Sequence, residues 1–407
     1  MAFEMPRAKR AEEIGLSSER LHRLTDTLKA DIDMGVVPGA VVLIARRGKI
    51  ARLEALGYRD REAGTVMAPD TIFRIASMTK PFTSVAAMML AEEGKLLIAD
   101  PVARYIPEFA DLKVALNSDD PSEKTLKTEP VRRAMTVQDL LRHTSGLTYG
   151  HLAGPLVKQA YEAANVADEK QTNAEMVAKL CKLPLAYQPG TTWQYGASTD
   201  VLGRVVELAS GMDLDRFIVE RICTPLGLSD TDFGPIDAAR AAQPQLDPVS
   251  GKRPPMRDTT TRPKWISGGS ALLSTASDYV RFCQMLLNGG ELGGTRLLSP
   301  TTVALMTSNH LTPETRCGPS TPLLFGALAP TPEFGVGFGL GFAVRTHAGR
   351  SPLPGSIGDF SWSGVTGTYF WIDPKQELIA ILLMQAPAQR LHYRYLMRTL
   401  VYQAIAN

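Results

Sequence analysis

Between Phe73 and Leu96 the chain reads FRIASMTKPFTSVAAMMLAEEGKL, and Ser77-Met78-Thr79-Lys80-Pro81 sets a hydroxyl and an amine three residues apart. Pro81 has no amide N–H and is tolerated only in the first turn of a helix, where amides lack partners in any case. That puts a helix start within a few residues of Ser77. Ser77 then stands at the positive end of the helix dipole with its own N–H free, and Lys80 shares its face. The following SVAAMMLA is apolar on all sides, so the helix is expected to be buried and the ammonium poorly solvated. Desolvation disfavours a charged amine, and such a lysine can take the proton of the serine. The plainer alternative is a capping serine and a lysine that snorkels to water.

Other chemistries lack their residues. Six histidines are scattered without HExxH or Cys/His pairing, so neither a metal nor a cofactor is expected. There is no GxSxG elbow and no P-loop. FGVGFGLGF carries glycine at 335, 337, 339 and 341, but the third glycine of a dinucleotide loop is missing at either register. At strand period it has one bare face, open to close approach, and one apolar face with Val336, Phe338, Leu340 and Phe342. Pro189 to Gly211, PGTTWQYGASTDVLGRVVELASG, delivers Trp193 and Tyr195 on a turn before a helix. Alone, that aromatic pair reads as packing.

The elements that must hold these residues are legible at both ends. In LSSERLHRLTDTLKADIDMG serines can cap a helix whose face is Leu21, Leu24, Leu28 and Ile32. VPGAVVLIARRGKIARLEALGY reads as two strands around Arg47-Gly48-Lys49. TYFWIDPKQELIAILLMQ repeats the pattern around Asp373-Pro374-Lys375-Gln376, and RLHYRYLMRTLVYQAIA closes with Leu396, Met397, Leu400, Val401, Ala404 and Ile405 at helical spacing. The two ends are expected to share one sheet. Residues from about 85 to 225 are richer in helix and loop, and the proline-rich stretch from Pro313 to Pro332 reads as a surface loop.

Composition narrows the setting. With 407 residues, 44 basic against 42 acidic and no long run of one sign, no nucleic-acid face is indicated. No window approaches eighteen apolar residues, so no membrane span is expected. The opening MAFEMPRAKRAEEIG lacks the apolar stretch of a secretory signal. Cys181, Cys223, Cys283 and Cys317 lie far apart, as four reduced thiols would in a cytoplasmic protein.

Together, VPGAVVLIARRGKI, FRIASMTKPF, LLRHTSGL, WQYGASTDVLG, ICTPLGLSDTDF and the C-terminal hairpin resemble the serine β-lactamase and penicillin-binding-protein superfamily. The resemblance is to its class C-like esterase branch, the family VIII carboxylesterases and related acyltransferases. It covers nearly the whole chain. It implies an α/β (α+β) β-lactamase/transpeptidase-like fold, an antiparallel sheet flanked by the terminal helices with an inserted helical domain. On that division residues 1–74 and 230–407 form the α/β domain and 75–229 the helical one, with the active site between.

The resemblance makes Ser77 the nucleophile, with Lys80 and Tyr195 sharing the base and acid roles. Trp362-Ser363-Gly364 falls where the superfamily carries Lys-Thr-Gly, so these three are expected at the substrate, unless the tryptophan only packs. The Val365 N–H would join that of Ser77 in an oxyanion hole. His143 is expected to order its loop rather than act as base, and Tyr149 to wall the pocket. The expected reaction is hydrolysis of a small carboxylic ester. The alternatives are acyl transfer to an alcohol or amine, a β-lactamase or peptidase, and, last, a silent binding protein. Because tryptophan replaces the lysine and Ala197 stands where Tyr-x-Asn has asparagine, a β-lactam carboxylate is expected to meet apolar surface and to be disfavoured.

Overall fold

A computed structural model describes residues 3–116, 124–247 and 249–407. Helix α1 (Ser18–Asp33) starts at Ser17, whose side chain accepts from the Arg20 amide, and buries Leu21, Leu24, Leu28 and Ile32. Strands β1 (Gly39–Arg46) and β2 (Lys49–Asp60) follow as an antiparallel hairpin. Arg47 and Gly48 both take positive φ, 50° and 71°, as a two-residue hairpin turn requires. After β3 (Thr65–Val66), the chain leaves the sheet and returns to it only at residue 336. The intervening helices include α2 (Lys80–Glu92), α3 (Ser198–Ser210) and α4 (Ala276–Leu287). Then come β4 (Val336–Phe338), β5 (Ala343–Arg345), β6 (Phe360–Ser363), β7 (Tyr369–Asp373), β8 (Leu378–Leu383) and α5 (Arg390–Tyr402).

The sheet runs β4-β5-β6-β7-β8-β1-β2-β3, with every neighbouring pair antiparallel. The first and last hairpins thus meet at β1 and β8, where Val41 lies opposite Leu383. All eight residues of β1 are buried because both faces are covered. Val42 and Ile44 join α1 and α5 on one side, whereas Val41 and Leu43 join the larger core containing α2, α3 and α4.

Two local readings change. Strand β4 stops at Phe338, and Gly339–Phe342 form the turn into β5, so the glycine-rich stretch is a hairpin corner. Close approach still governs its composition, since a Cβ on Gly337 would strike the Asn309 side chain. The stretch from Pro313 to Pro332 is not a plain surface loop. Arg316–Cys317 pair in parallel with Thr192–Trp193, and Thr321–Phe325 turn as a short helix that buries Phe325. Its apolar residues found ring partners that the proline content hid.

Candidate active site

Residues Lys80 to Leu90 of α2 are all buried, and Pro81 stands in its first turn. A 3₁₀ turn, Ala76–Thr79, precedes it and carries Ser77. Ala76 has φ 47°, a left-handed backbone that costs a non-glycine residue on the order of 1–3 kcal/mol. The strain is held from within the turn, where Thr79 Oγ1 donates to the Ala76 carbonyl at 2.7 Å, and from outside, where Thr368 and Thr366 hydroxyls donate to the carbonyls of Ile75 and Arg74 at 3.1 and 3.0 Å.

Lys80 is 1% exposed, and it does not snorkel. Its Nζ donates to the Gly269 carbonyl at 2.8 Å, to the Tyr149 hydroxyl at 3.2 Å and to Ser77 Oγ at 3.3 Å. The Tyr195 hydroxyl donates to the same Ser77 oxygen at 2.6 Å. Lys80 Nζ also lies 4.8 Å from the centre of the Tyr195 ring. Serine, lysine and tyrosine therefore meet in one proton-sharing triangle, although 118 residues separate Ser77 from Tyr195.

Tyr195 is fixed by an aromatic box. The ring centroids of His143, Phe325 and Trp362 lie 5.1, 5.3 and 5.5 Å from its own, and Trp193 stacks beside it. Trp362 is buried, and its ring also packs on Phe338 and Phe325. It lies behind Tyr195 rather than on the cavity surface, so of the expected Trp362-Ser363-Gly364 trio only Ser363 faces the cavity. His143 is 1% exposed, and burial first, then the Lys80 charge, holds its pKa well below the usual histidine value. A neutral ring packed under Tyr195, with φ 58° and a carbonyl accepting from the Gln194 amide at 2.9 Å, is a loop anchor.

Gly364 brings the strand end close to the turn that carries Ser77. A Cβ there would meet Thr368 Oγ1 and the Ile75 carbonyl, so only glycine lets the turn after β6 lie against the chain entering Ser77. Val365 is exposed and lines the same cavity as Ser77. The Ser77 and Val365 amides donate to no protein acceptor among the described residues.

Three features escaped the sequence reading. Asp200, one turn into α3, is 1% exposed and accepts from the Tyr149 hydroxyl at 3.2 Å, the Gly269 amide at 3.2 Å and the Ser267 hydroxyl. It thus holds the Ser267–Gly269 turn whose carbonyl receives Lys80. A Cβ on Gly269 would press on both the Asp200 carboxylate and Lys80 Nζ. Tyr149 is more than a wall: burial first, then Asp200 and Tyr195, keeps its pKa well above 10, so a neutral phenol bridges Lys80 and Asp200. The advance signal was an acid in the first turn of α3, just before the apolar Val201-Leu202. The third feature is Arg394, with Arg390 one turn before it on α5. Both line the cavity, and Arg394 donates to the Gly364 carbonyl at 2.7 Å. The expectation that a substrate carboxylate meets only apolar surface is corrected accordingly.

The cavity over Ser77 has a volume of about 300 Å³. Tyr149, His151, Asp200 and Trp265 separate it from a second one of about 360 Å³. No trio of His, Cys, Asp or Glu converges as a metal site among the described residues. The arrangement suits attack of a hydrogen-bonded hydroxyl on a carbonyl carbon, with two backbone amides left without a protein acceptor beside it.

Comparison with known proteins agrees in fold and length. The family model described as Beta-lactamase matches residues 24–395. The chain is 39% identical to Protein Rv1367c of Mycobacterium tuberculosis, over 87% of each chain. It is 32% identical to Esterase EstB of Burkholderia gladioli, over 85% of each. Among solved structures it resembles EstCE1, described as a hydrolase with promiscuous acyltransferase activity, at TM-score 0.79 and 28% identity, covering 94% of this chain and 99% of that one.

Proposed function

The chain belongs to the beta-lactamase family, and from that premise we propose that it is a serine esterase working through a Ser77 acyl-enzyme. The observation that carries the reading is the triangle of Ser77 Oγ, Tyr195 hydroxyl and Lys80 Nζ at 2.6 and 3.3 Å on the wall of a cavity. The likeness to EstB, named as an esterase, supports carboxylic esters as the substrate class.

Ser77 Oγ attacks the ester carbonyl carbon while its proton passes to the Tyr195–Lys80 pair. The carbonyl oxygen gains charge facing the Ser77 and Val365 amides, whose donation strengthens as the tetrahedral intermediate forms. The C–O bond to the alcohol breaks, and the alcohol leaves with the proton just received. Water then attacks the acyl-enzyme carbon, gives its proton to the same pair, and releases the acid as Ser77 recovers its proton. Tyr149 and Asp200 hold Lys80 in line throughout.

Acyl transfer is the second reading, favoured by the described double activity of EstCE1. Its only difference is an alcohol or amine replacing water in the last step. Four free cysteines, two of them fully buried, support a reducing, cytoplasmic setting, and no helix among the described residues is long and apolar enough to cross a membrane.

The test is turnover of p-nitrophenyl butyrate by wild type and Ser77→Ala, with product analysis in the presence and absence of an added alcohol. Turnover by wild type alone supports the esterase. A new ester replacing most of the free acid moves the assignment to acyltransferase, and equal turnover by Ser77→Ala contradicts both.

A further inference from the structure

Behind Ala76 lies a smaller cavity of about 120 Å³ that shares Ala76 and Ser270 with the catalytic one. Two arginines line it. Arg74 Nε donates to the Arg257 carbonyl at 2.9 Å and its Nη1 to the Ala242 carbonyl at 3.0 Å. Arg257 donates to the carbonyls of Phe233 and Ala271 at 2.9 and 3.0 Å. These backbone acceptors fix both guanidinium planes but carry no charge. Neither arginine is paired with a carboxylate among the described residues. Asp258 attracts Arg74, and Glu169, Asp258 and Asp232 attract Arg257, all from beyond ion-pair distance; the Asp258 oxygens are taken by the amide and hydroxyl of Thr260.

Two like charges held side by side and largely out of water are unfavourable unless something compensates them. Burial first and then Arg74 bring the Arg257 pKa down to about 10. The fold keeps the pair nonetheless, with donors left over. Each guanidinium has five N–H groups, and the named contacts use only part of them. Another part of the catalytic cavity wall adds Arg390 and Arg394 against one carboxylate, Asp200, so the site as a whole favours negative charge.

We propose that Arg74 and Arg257 form an anion subsite of the active site, and that the substrate is an ester bearing a free carboxylate. The inference rests on the esterase reading and adds the substrate class. The Cα atoms of Arg74 and Ser77 are three residues apart, at most about 11 Å along a fully extended chain, and the two residues' cavities share Ala76 and Ser270. The acid therefore lies a short spacer from the scissile bond. A carboxylate of that reach enters past Ala76 and Ser270, and the planar fork of an arginine matches its two oxygens.

Matched ester pairs test this, because the acid can sit on either side of the ester bond. One pair is 4-acetoxybenzoate and its methyl ester; the other is the mono-p-nitrophenyl ester of adipic acid and p-nitrophenyl hexanoate. In at least one pair the wild type should prefer the acid member by about tenfold or more in kcat/KM, a preference that falls as salt is raised. Arg257→Gln should abolish the preference, and Arg257→Lys, which keeps the charge but loses the fork, should retain only part of it. Should Arg257→Gln fail to fold, the wild-type ratios and their salt dependence decide alone. Preference for the neutral member in both pairs, with Ser77-dependent turnover intact, overturns the inference while leaving the esterase reading standing. A preference for the acid that survives Arg257→Gln and disappears in Arg394→Gln overturns it too, by assigning the anion to the other wall. Absence of turnover and of any acyl-enzyme would instead remove the esterase reading, and this inference with it.

Discussion

Ser77 Oγ has two proton carriers within reach, and the geometry gives neither a monopoly. Tyr195 is closer, at 2.6 Å, but Lys80 at 3.3 Å is the better positioned, with Gly269, Tyr149 and Ser77 around one nitrogen. Lys80→Ala and Tyr195→Phe should each lower kcat by about 10²–10⁴-fold, the usual range for positioned proton transfer. Because both serve one proton path, the double variant should lose far less than the product of the two, which a double-mutant cycle on kcat reads directly. Tyr149→Phe removes the hydroxyl joining Lys80 to Asp200. It should cost about tenfold in kcat with little change in KM, since the ring that walls the cavity is kept and only the hydroxyl that positions the lysine is lost. His143→Gln should disturb stability more than chemistry. Its ring is neutral and buried, so no inflection near pH 6.5 in the kcat/KM profile should belong to it.

The short helix Val137–Leu141 shows how an element delivers residues to the site. Thr136 and Asp139 form a reciprocal capping box, and Asp139 also receives Arg133, Arg142 and the Thr144 hydroxyl. Burial alone would raise the pKa of Asp139, but Arg133 and the Thr136 amide outweigh it and leave a value of about 2. The folded pKa lies below the unfolded one, so this stabilisation is complete above about pH 4 and fades as pH falls through about 2. Asp139→Asn should cost roughly 2 kcal/mol near neutral pH and loosen the loop from His143 to Tyr149. Urea unfolding at pH 7 and at pH 3 should find the smaller penalty at the lower pH. Much of this element level was legible. Local period and turn chemistry gave α1, both hairpins and the buried start of α2. The segment from Pro313 to Pro332 was not, because Phe325 is placed by ring contacts with Trp193, Tyr195 and Trp362, far away in sequence.

At the scale of the molecule, the site forms where the returning strand β6 and its turn meet the entrance to α2. Ser77 and Lys80 were legible because three residues of spacing suffice to pair them. Tyr195 needed the resemblance, and Asp200, Gly269 and Arg394 needed the fold, since Lys80 and Gly269 stand 189 residues apart. Substrate choice is likewise a property of the assembled cavity. With Trp362 turned inward and Ala197 buried, neither offers a hydrogen bond to an amide side chain. A cephalosporin should therefore lose about 1–3 kcal/mol of recognition, and p-nitrophenyl butyrate should exceed it in kcat/KM by about 10²-fold. Arg390 and Arg394 keep that gap smaller than a wholly apolar wall would give. Steady-state kinetics on the two compounds measures it.

The central claim is that Ser77 carries the acyl group. Intact-mass spectrometry of protein quenched in acid during turnover of p-nitrophenyl butyrate tests it most directly, followed by peptide mapping. The account predicts one added butyryl group on the peptide containing Ser77, and none in Ser77→Ala, which folds normally and does not turn over. An adduct on another residue, or turnover by Ser77→Ala at the wild-type rate, would contradict it.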